Sequence, residues 1–296
     1  MPVTPLQRMP KLEQALNLPR GLYFKREDLH PLGSHKGRSI PLMIEHYLEQ
    51  DKNNFVISSS GNAALAAALY VKKYNKNNDK KITLTILVGE KINQEKFSAI
   101  SEILDNNIQL KQVTNPKQLA FQTDKDNEAK NLRQSTDDIS LIGYEELAKE
   151  IVTELPDVSA IFVPTSSGTT ALGLHLGFKK LGVNPEIHIV QTDTCHTLIN
   201  NFKKENIGDT EEKSLADAIV DQIGHRKITV RRAVSDSHGQ AWIAENEELK
   251  DAIILVKQGE KLKLSPNSAL SLVGLRRAIK KGEKFSGPVV CLITGR

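Results

Sequence analysis

Short apolar runs alternate with stretches of helical periodicity along most of this chain. The predicted strands are residues 22–25, 55–58, 82–88, 108–113, 160–164, 187–192 and 289–293. The predicted helices are residues 39–50, 63–73, 93–104, 117–132, 170–181 and 269–281. Strands separated by helices indicate βαβ units, and runs that are apolar throughout indicate sheets covered on both faces. The sequence therefore predicts an α/β fold with mostly parallel sheets flanked by helices.

Composition excludes several classes of protein. The 296 residues are 39% hydrophobic, which is enough to bury a sizeable core. Lys and Arg number 40 against 36 Asp and Glu, and a net charge of +4 is too small for a nucleic-acid-binding footprint. No run reaches the roughly 18 apolar residues of a membrane span, and the N-terminal residues lack the pattern of a signal peptide. Two cysteines provide neither a disulfide framework nor a metal cluster, so we expect a cytoplasmic protein without a metal.

The loop after strand 160–164 combines hydroxyl residues with one glycine. It reads TSSGTT over residues 165–170 and leads into a predicted helix. Backbone N–H groups at the positive end of a helix dipole form a favourable site for a phosphate. An ordinary Ser/Thr cap of the helix accounts for the same residues about as well.

A lysine, Lys36, lies in a glycine-containing loop that follows the first predicted strand. Cationic neighbours such as Lys25, Arg26 and Arg38 would favour its neutral amine, which can attack a carbonyl to form a Schiff base. The alternative is a solvated lysine in a basic loop, which is the commoner situation for such a residue taken alone.

The loop after strand 55–58 contains Ser59, Ser60, Gly61 and Asn62. Its hydroxyl and backbone N–H groups suit a carboxylate, and the Asn62 amide can donate to a phenolate-like oxygen. A Ser/Asn helix cap with a glycine turn accounts for these residues equally well.

Together these loops resemble the β family of pyridoxal-phosphate enzymes, also called fold type II. Its members include threonine synthase, serine/threonine dehydratases and the tryptophan synthase β subunit. The matching motifs, in the order and spacing of that family, are Thr4-Pro5-Leu6, Lys25-Arg26-Glu27-Asp28, Pro31-Leu32-Gly33-Ser34-His35-Lys36-Gly37-Arg38, Ser59-Ser60-Gly61-Asn62, residues 165–169, Pro266-Asn267-Ser268-Ala269 and Thr294-Gly295. The departures are a phosphate loop with one glycine, a glycine directly after the lysine, and Ala216-Asp217-Ala218 where the family has Ala-Asp-Gly.

The resemblance implies a role for each matching residue. Lys36 would be the catalytic residue, holding pyridoxal 5'-phosphate as a Schiff base and moving protons at the substrate's α- and β-carbons. The cofactor-binding residues would be Lys36, Asn62 at the ring hydroxyl, Thr294 at the pyridine nitrogen, and Ser166, Ser167, Gly168, Thr169 and Thr170 at the phosphate. The substrate-binding residues would be Ser59, Ser60, Gly61 and Arg38. A hydroxyl at the pyridine nitrogen, unlike a carboxylate, would suit elimination and replacement better than transamination.

The resemblance also implies a tryptophan synthase β-like architecture of two interleaved domains. Residues 1–37 and 144–296 would form a large cofactor-binding domain. Residues 38–143 would form a small inserted α/β domain, with the active site in the cleft between the two.

The function implied is pyridoxal-phosphate-dependent elimination or replacement on a small amino acid, with threonine synthase as the nearest branch. A serine/threonine dehydratase-like ammonia-lyase and a non-catalytic homologue that binds the cofactor are the alternatives. Threonine synthase acts on a phosphorylated homoserine, so Lys25 and Arg38 are expected to neutralise its phosphate, unless they pair with Glu27 and Asp28 on a solvated loop. The expected partner is a small amino-acid substrate, with no nucleic acid and no membrane, and a homodimer remains open.

Overall fold

The computed structural model describes residues 2–90, 92, 94–199 and 213–295. The strands are β1 (Leu6–Arg8), β2 (Leu22–Arg26), β3 (Asn54–Ser58), β4 (Thr83–Gly89), β5 (Ile108–Val113), β6 (Lys130–Asn131), β7 (Ala160–Pro164), β8 (Glu186–Thr192), β9 (Ala241–Ala244) and β10 (Val289–Ile293). The α-helices are α1 (Pro10–Leu16), α2 (Ile40–Leu48), α3 (Asn62–Asn77), α4 (Gln94–Ser101), α5 (Pro116–Lys125), α6 (Ile139–Glu154), α7 (Thr169–Lys180), α8 (Lys227–Asp236), α9 (Asn246–Glu260) and α10 (Pro266–Lys280). The predicted α/β class is confirmed.

The chain divides into two compact units according to which parts of its backbone lie close together. The large unit comprises Met1–Leu29 and Tyr144–Arg296, and the small unit comprises His30–Gly143. The expected insertion of residues 38–143 has the same last residue, but the small unit begins earlier and includes Lys36. The assignment of separate roles to two domains stays a prediction.

The large unit is built on a six-stranded sheet in the order β1-β2-β10-β7-β8-β9. β1 pairs with β2 in the antiparallel direction, and the other neighbours pair in parallel. The central strands β10 and β7 are buried along their whole length. Helix α10 packs closely on this sheet, since a Cβ atom added to Gly274 would lie 2.4 Å from Val190 Cγ2. The core of this unit therefore surrounds β7 and β10, and their carboxyl ends follow directly from fully buried strands.

The small unit contains a four-stranded parallel sheet in the order β5-β4-β3-β6. Both of its faces are covered, as the continuous apolar runs predicted. Phe55 and Ile57 of β3 belong to one buried cluster, which also receives side chains from α2, α3 and α4. The intervening Val56 belongs to a second cluster with Leu87 and with Ala120 of α5.

The predicted strands all coincide with observed strands, and the predicted helices overlap α2, α3, α4, α5, α7 and α10. The first position of the predicted helix 93–104 lies outside the described residues. The helix predicted over 117–132 is wrong beyond Lys125, because the chain turns at Asn127, where φ is 59°, and then forms β6. The elements that the sequence pattern missed include the short strands β1, β6 and β9, whose few residues carry little periodicity.

Candidate active site

The carboxyl ends of β7 and β10 lie side by side at the centre of the large sheet. The two strands pair in parallel, with Val289 opposite Ala160 and Cys291 opposite Phe162. The same register, continued to the strand ends, places Thr294 beside the start of loop 165–170. Neighbouring strands are about 4.8 Å apart. Thr294 and this loop therefore share the edge of the sheet where ligands of α/β proteins bind.

The loop 165–170 begins α7 without a side-chain cap. Its N-cap is Gly168, in the left-handed region with a φ of 85°, and a glycine has no side chain that could accept a hydrogen bond from the first turn. A Cβ atom on Gly168 would lie 2.4 Å from Val230 Cγ2, so both the backbone and the packing require glycine. The alternative that this loop is an ordinary Ser/Thr cap is therefore wrong. The helix start instead has the uncapped character of an anion site.

Ser166 is a hydrogen-bond donor by elimination. Its hydroxyl oxygen accepts the N–H of Val220 at 3.1 Å and the N–H of Asp221 at 3.2 Å. These two bonds occupy both lone pairs of the oxygen, so the hydroxyl can add only a donated hydrogen bond. No acceptor for that hydrogen is found within the described part of the chain. Such a hydroxyl at a helix start suits a phosphate oxygen.

The other hydroxyl residues of the loop are close together and largely buried. Ser167 Oγ lies 3.0 Å from Thr169 Oγ1, and either can be the donor. Thr169, Thr170 and Thr294 are all buried. The expected cofactor-binding residues of the large unit thus lie at two adjacent strand ends, while their contacts with a cofactor stay a prediction.

Lys36 lies in a short 3-10 turn, His35–Arg38, in the small unit. Ser34 Oγ accepts the N–H of Lys36 at 3.3 Å and fixes the start of this turn. The flanking residues His35 and Gly37 are buried, whereas Lys36 keeps partial exposure. Within residues 2–90, 92, 94–199 and 213–295, no carboxylate lies within ion-pairing distance of its ammonium group. The reaction of this amine with a cofactor stays a prediction.

Close packing explains the glycine that follows Lys36. A Cβ atom on Gly37 would lie 2.2 Å from Cε1 of the His30 ring, and the N–H of Leu32 donates to Nδ1 of the same ring at 3.1 Å. A Cβ atom on Gly143 would lie 2.0 Å from the carbonyl oxygen of Arg38. The turn that carries Lys36 therefore requires glycine at position 37, within the turn, and at position 143, which packs against it. Neither position has space for a side chain.

The serine loop of the small unit also begins a helix without a side-chain cap. Helix α3 has Gly61 as its N-cap, and no side chain bonds to its first turn. Ser59 Oγ accepts the N–H of Gly61 at 3.3 Å. Apart from its chain neighbours, no described residue has a heavy atom within 4 Å of the position of a Cβ on Gly61. The alternative of a Ser/Asn cap is wrong here too, and the uncapped start of α3 beside Ser60 and Asn62 suits a carboxylate.

Lys25 and Arg38 are not solvated. Both side chains have 0% exposure. Lys25 Nζ lies 2.7 Å from the carbonyl oxygen of Thr4 and 2.9 Å from a carboxylate oxygen of Glu150. The alternative that these two residues lie on a solvated loop is therefore wrong, and the buried, paired Lys25 does not fit the expectation that it neutralises a substrate phosphate. The role of Arg38 in substrate binding stays a prediction.

The charge of Arg26 is also neutralised inside the fold. Its guanidinium donates to both carboxylate oxygens of Asp28, at 2.8 and 2.7 Å. Lys25 and Arg26 therefore both have carboxylate partners within the large unit, and the expectation that they favour the neutral amine of Lys36 stays a prediction.

The sequence analysis missed a polar residue that supports the loop 165–170. Gln191 of β8 is fully buried, donates to the carbonyl oxygen of Ser166 at 3.3 Å and accepts the N–H of Leu198 at 3.0 Å. A polar residue in the apolar run 187–192 was the available signal, since burying an amide is costly unless it is hydrogen-bonded.

Other candidate groups do not form a second reactive site. Burial raises the pKa of the Cys291 thiol well above its usual range, although a hydrogen bond with Ser271 opposes the shift, so this thiol is no nucleophile. Among the described residues, no three His, Cys, Asp or Glu side chains are grouped in a way that could hold a metal ion. The same portion of the chain contains no helix with the length and apolar character of a membrane span.

Comparison with known proteins finds one matching family model and relatives with different names. A family model described as "Pyridoxal-phosphate dependent enzyme" matches residues 2–295. The threonine synthase of Methanocaldococcus jannaschii is 24% identical over 313 residues, covering 99% of this chain and 74% of that protein. The L-threonine ammonia-lyase of Thermotoga maritima is 26% identical over 277 residues, covering 90% of this chain and 65% of that protein. The chain thus spans only part of the length of these relatives.

Solved structures show the fold. Serine racemase from maize superposes with a TM-score of 0.82 at 18% identity, covering 99% of this chain and 88% of that chain. This likeness confirms the expected architecture of fold type II, with mostly parallel sheets flanked by helices.

Proposed function

Because this chain belongs to the family of pyridoxal-phosphate dependent enzymes, we propose that it catalyses elimination or replacement at the side chain of a small amino acid, with threonine synthase as the first model. The cofactor of the family is pyridoxal 5'-phosphate. The observation that carries the proposal is the pair of neighbouring strand ends in the large unit. One bears the loop 165–170, whose N-cap is a glycine, and the other bears the hydroxyl of Thr294 rather than a carboxylate.

The donor set at these strand ends fits the cofactor. The start of α7 is uncapped, the Ser166 hydroxyl can only donate, and residues 165–170 include no acidic side chain. A phosphate at this loop therefore meets donors and no repelling carboxylate within the loop. Ser166, Ser167, Gly168, Thr169 and Thr170 would hold the phosphate, and Thr294 would face the pyridine nitrogen.

Pyridoxal 5'-phosphate, when bound, supplies an aldehyde that bonds to an amine and a ring that withdraws electrons from the substrate. Lys36 would hold the cofactor through Nζ and would move a proton at the α- and β-carbons of the substrate. Ser59, Ser60 and the uncapped start of α3 bind the substrate carboxylate. With the Thr294 hydroxyl facing it, the pyridine nitrogen would have no anionic partner, and the site would favour loss or exchange of a side-chain group over amino-group transfer.

An ammonia-lyase reaction on serine or threonine is the second candidate, and the state of Lys25 favours it. A phosphorylated substrate brings a second phosphate that needs a cation. Lys25 is fully buried and engaged with Glu150, so it does not supply that cation. An unphosphorylated hydroxyamino acid has no such requirement. The similarity to the L-threonine ammonia-lyase of Thermotoga maritima supports the same candidate.

One preparation loaded with pyridoxal 5'-phosphate distinguishes the two reactions. Phosphate release from O-phosphohomoserine would support the synthase, and keto-acid formation from serine or threonine without phosphate release would support the ammonia-lyase. Lys36→Ala should abolish turnover, whereas Lys180→Ala, at a lysine side chain that is 68% exposed, should keep it. If none of O-phosphohomoserine, serine and threonine is converted, the proposal is contradicted and a non-catalytic homologue is favoured.

A further inference from the structure

The first turn of α10 holds the end of β10 through two serines. Ser268 is fully buried, and its hydroxyl lies 2.8 Å from the carbonyl oxygen of Gly295 and 3.3 Å from the N–H of the same residue. Ser265, the N-cap of α10, lies 2.8 Å from that carbonyl oxygen. Both backbone groups of Gly295 are therefore fixed, and with them the position of the preceding residue, Thr294.

The residue before Ser268 bonds to a different segment of the large unit. Asn267 Oδ1 accepts the N–H of Ala218 at 3.0 Å, and Asn267 Nδ2 donates to Asp217 Oδ1 at 3.3 Å. A side-chain amide offers an acceptor and a donor on one planar group, so it holds both residues at once. This segment is the altered Ala-Asp-Ala motif, for which the proposed reaction has no role.

The same segment continues to the phosphate loop. Val220 and Asp221 donate their N–H groups to the Ser166 hydroxyl at 3.1 and 3.2 Å. Segment 217–221 therefore connects Asn267 and Ser166, since its first residues bond to Asn267 and its last two bond to Ser166. One helical turn is connected in this way to both neighbouring strand ends of the proposed cofactor site.

We propose that Asn267 is a positioning residue that acts on the cofactor phosphate through segment 217–221 and Ser166, while Ser268 sets Thr294 at the pyridine nitrogen. The inference rests on the proposed function, because it takes Ser166 and Thr294 as groups that face the cofactor. A cofactor that spans both strand ends needs a constant separation between them. Hydrogen bonds from one turn of one helix fix that separation, since preorganised sites depend on residues that lock the binding groups.

Binding of pyridoxal 5'-phosphate to the cofactor-free protein tests the phosphate end, with the phosphorus NMR shift of the bound phosphate as a second readout. Asn267→Ala should weaken binding about fivefold, the loss expected for the one hydrogen bond proposed between Ser166 and the phosphate. It should also move the phosphorus signal. Asn246→Ala is the matched control. Asn246 accepts the N–H of Leu215 at 2.8 Å and donates to the carbonyl oxygen of Lys213 at 3.1 Å, so it holds residues that precede segment 217–221 and do not contact Ser166. It should leave both readouts unchanged.

A double-mutant cycle separates action through Ser166 from a general loss of structure. In a Ser166→Ala protein, Asn267→Ala should add less than about twofold to the loss of affinity. Ser268→Ala should instead shift the absorption spectrum of the bound ring, which reports the surroundings of the pyridine nitrogen. Asn267→Asp keeps an acceptor for the N–H of Ala218 but places a carboxylate against Asp217, so it should also weaken binding. Asn267→Asp is the variant to measure if Asn267→Ala does not fold.

Three results would each overturn the proposal: wild-type binding and phosphorus shift in Asn267→Ala, an equal loss in Asn246→Ala, or additive losses in the double variant. An unchanged ring spectrum in Ser268→Ala would overturn the part that concerns Thr294. A wild-type protein that binds no pyridoxal 5'-phosphate would overturn the proposed function itself, so the two failures are distinguishable.

Discussion

The ammonium group of Lys25 lies 2.9 Å from the carboxylate of Glu150, and the Lys25 side chain has no exposure to solvent. The carbonyl oxygen of Thr4 accepts a further hydrogen bond from Lys25 at 2.7 Å. This arrangement ties the end of β2 to α6 inside the large unit. A buried cation with these partners contributes to the fold, because breaking such a pair leaves a charge uncompensated.

Replacing Lys25 with methionine should therefore destabilise the protein. We expect the free energy of unfolding, measured with urea, to fall by about 2 kcal/mol. Lys180 is the matched control, since it pairs with Glu145 at 2.6 Å but is exposed. Lys180→Met should cost less than about 0.5 kcal/mol. Unchanged stability in Lys25→Met, together with a selective loss of activity on a phosphorylated substrate, would show that Lys25 serves the substrate after all.

Gly37→Ala should disrupt the turn that carries Lys36. The added methyl group would overlap the His30 ring, so the free energy of unfolding should fall by about 1–3 kcal/mol. Gly61→Ala is the control, because the position of its Cβ is open. It should stay within about 0.5 kcal/mol of wild type, while the KM of the amino-acid substrate rises if a carboxylate binds over the start of α3. Equal stabilities of the two variants would contradict the packing around Gly37.

Gly168→Ala should weaken the binding of pyridoxal 5'-phosphate. A φ of 85° strains any residue that has a Cβ atom, and that atom would also lie 2.4 Å from Val230 Cγ2. Val230→Ala in the same protein removes the overlap and leaves the backbone strain, so it should restore only part of the affinity. Equilibrium dialysis measures all three proteins. Full restoration would mean that the left-handed backbone at residue 168 is unimportant.

His175 on α7 should make the protein less stable in mild acid. Burial lowers the pKa of His175 below its ordinary value of 6.5, with Asp236 opposing the shift and Lys179 adding to it. The unfolded chain then takes up this proton more readily than the folded chain, so stability is lost as the pH falls below about 6.5. Unfolding curves measured between about pH 5 and 8 should fall less steeply for His175→Gln than for wild type. Parallel profiles would assign the acid sensitivity to other groups.

The strands and the hydroxyl-rich loops could be predicted from the sequence because their signals are local. The apolar run of β7 and the residues 165–170 that follow it are consecutive in the chain, so a strand and its loop appear together. The same holds for β3 with its serine loop. The sequence could not decide between a helix cap and an anion site, because that choice depends on whether a side chain turns back to the first N–H groups.

The supports of the site could not be predicted for a different reason. Gln191, Asn267 and segment 217–221 each form a few hydrogen bonds, and these include bonds to residues that are distant in the chain. Such bonds leave no periodic pattern in the sequence. The glycine after Lys36 is a similar case, since its cause is the His30 ring packed against it.

The bond between Lys36 and the cofactor is the most direct test of the proposed site. The protein is loaded with pyridoxal 5'-phosphate, reduced with borohydride, digested and mapped by mass spectrometry. We predict that the label lies on the peptide that contains Lys36 and is lost in Lys36→Ala, while the buried and paired Lys25 stays unlabelled. A label on a different lysine, or an unchanged visible spectrum and turnover in Lys36→Ala, would contradict the assignment of Lys36.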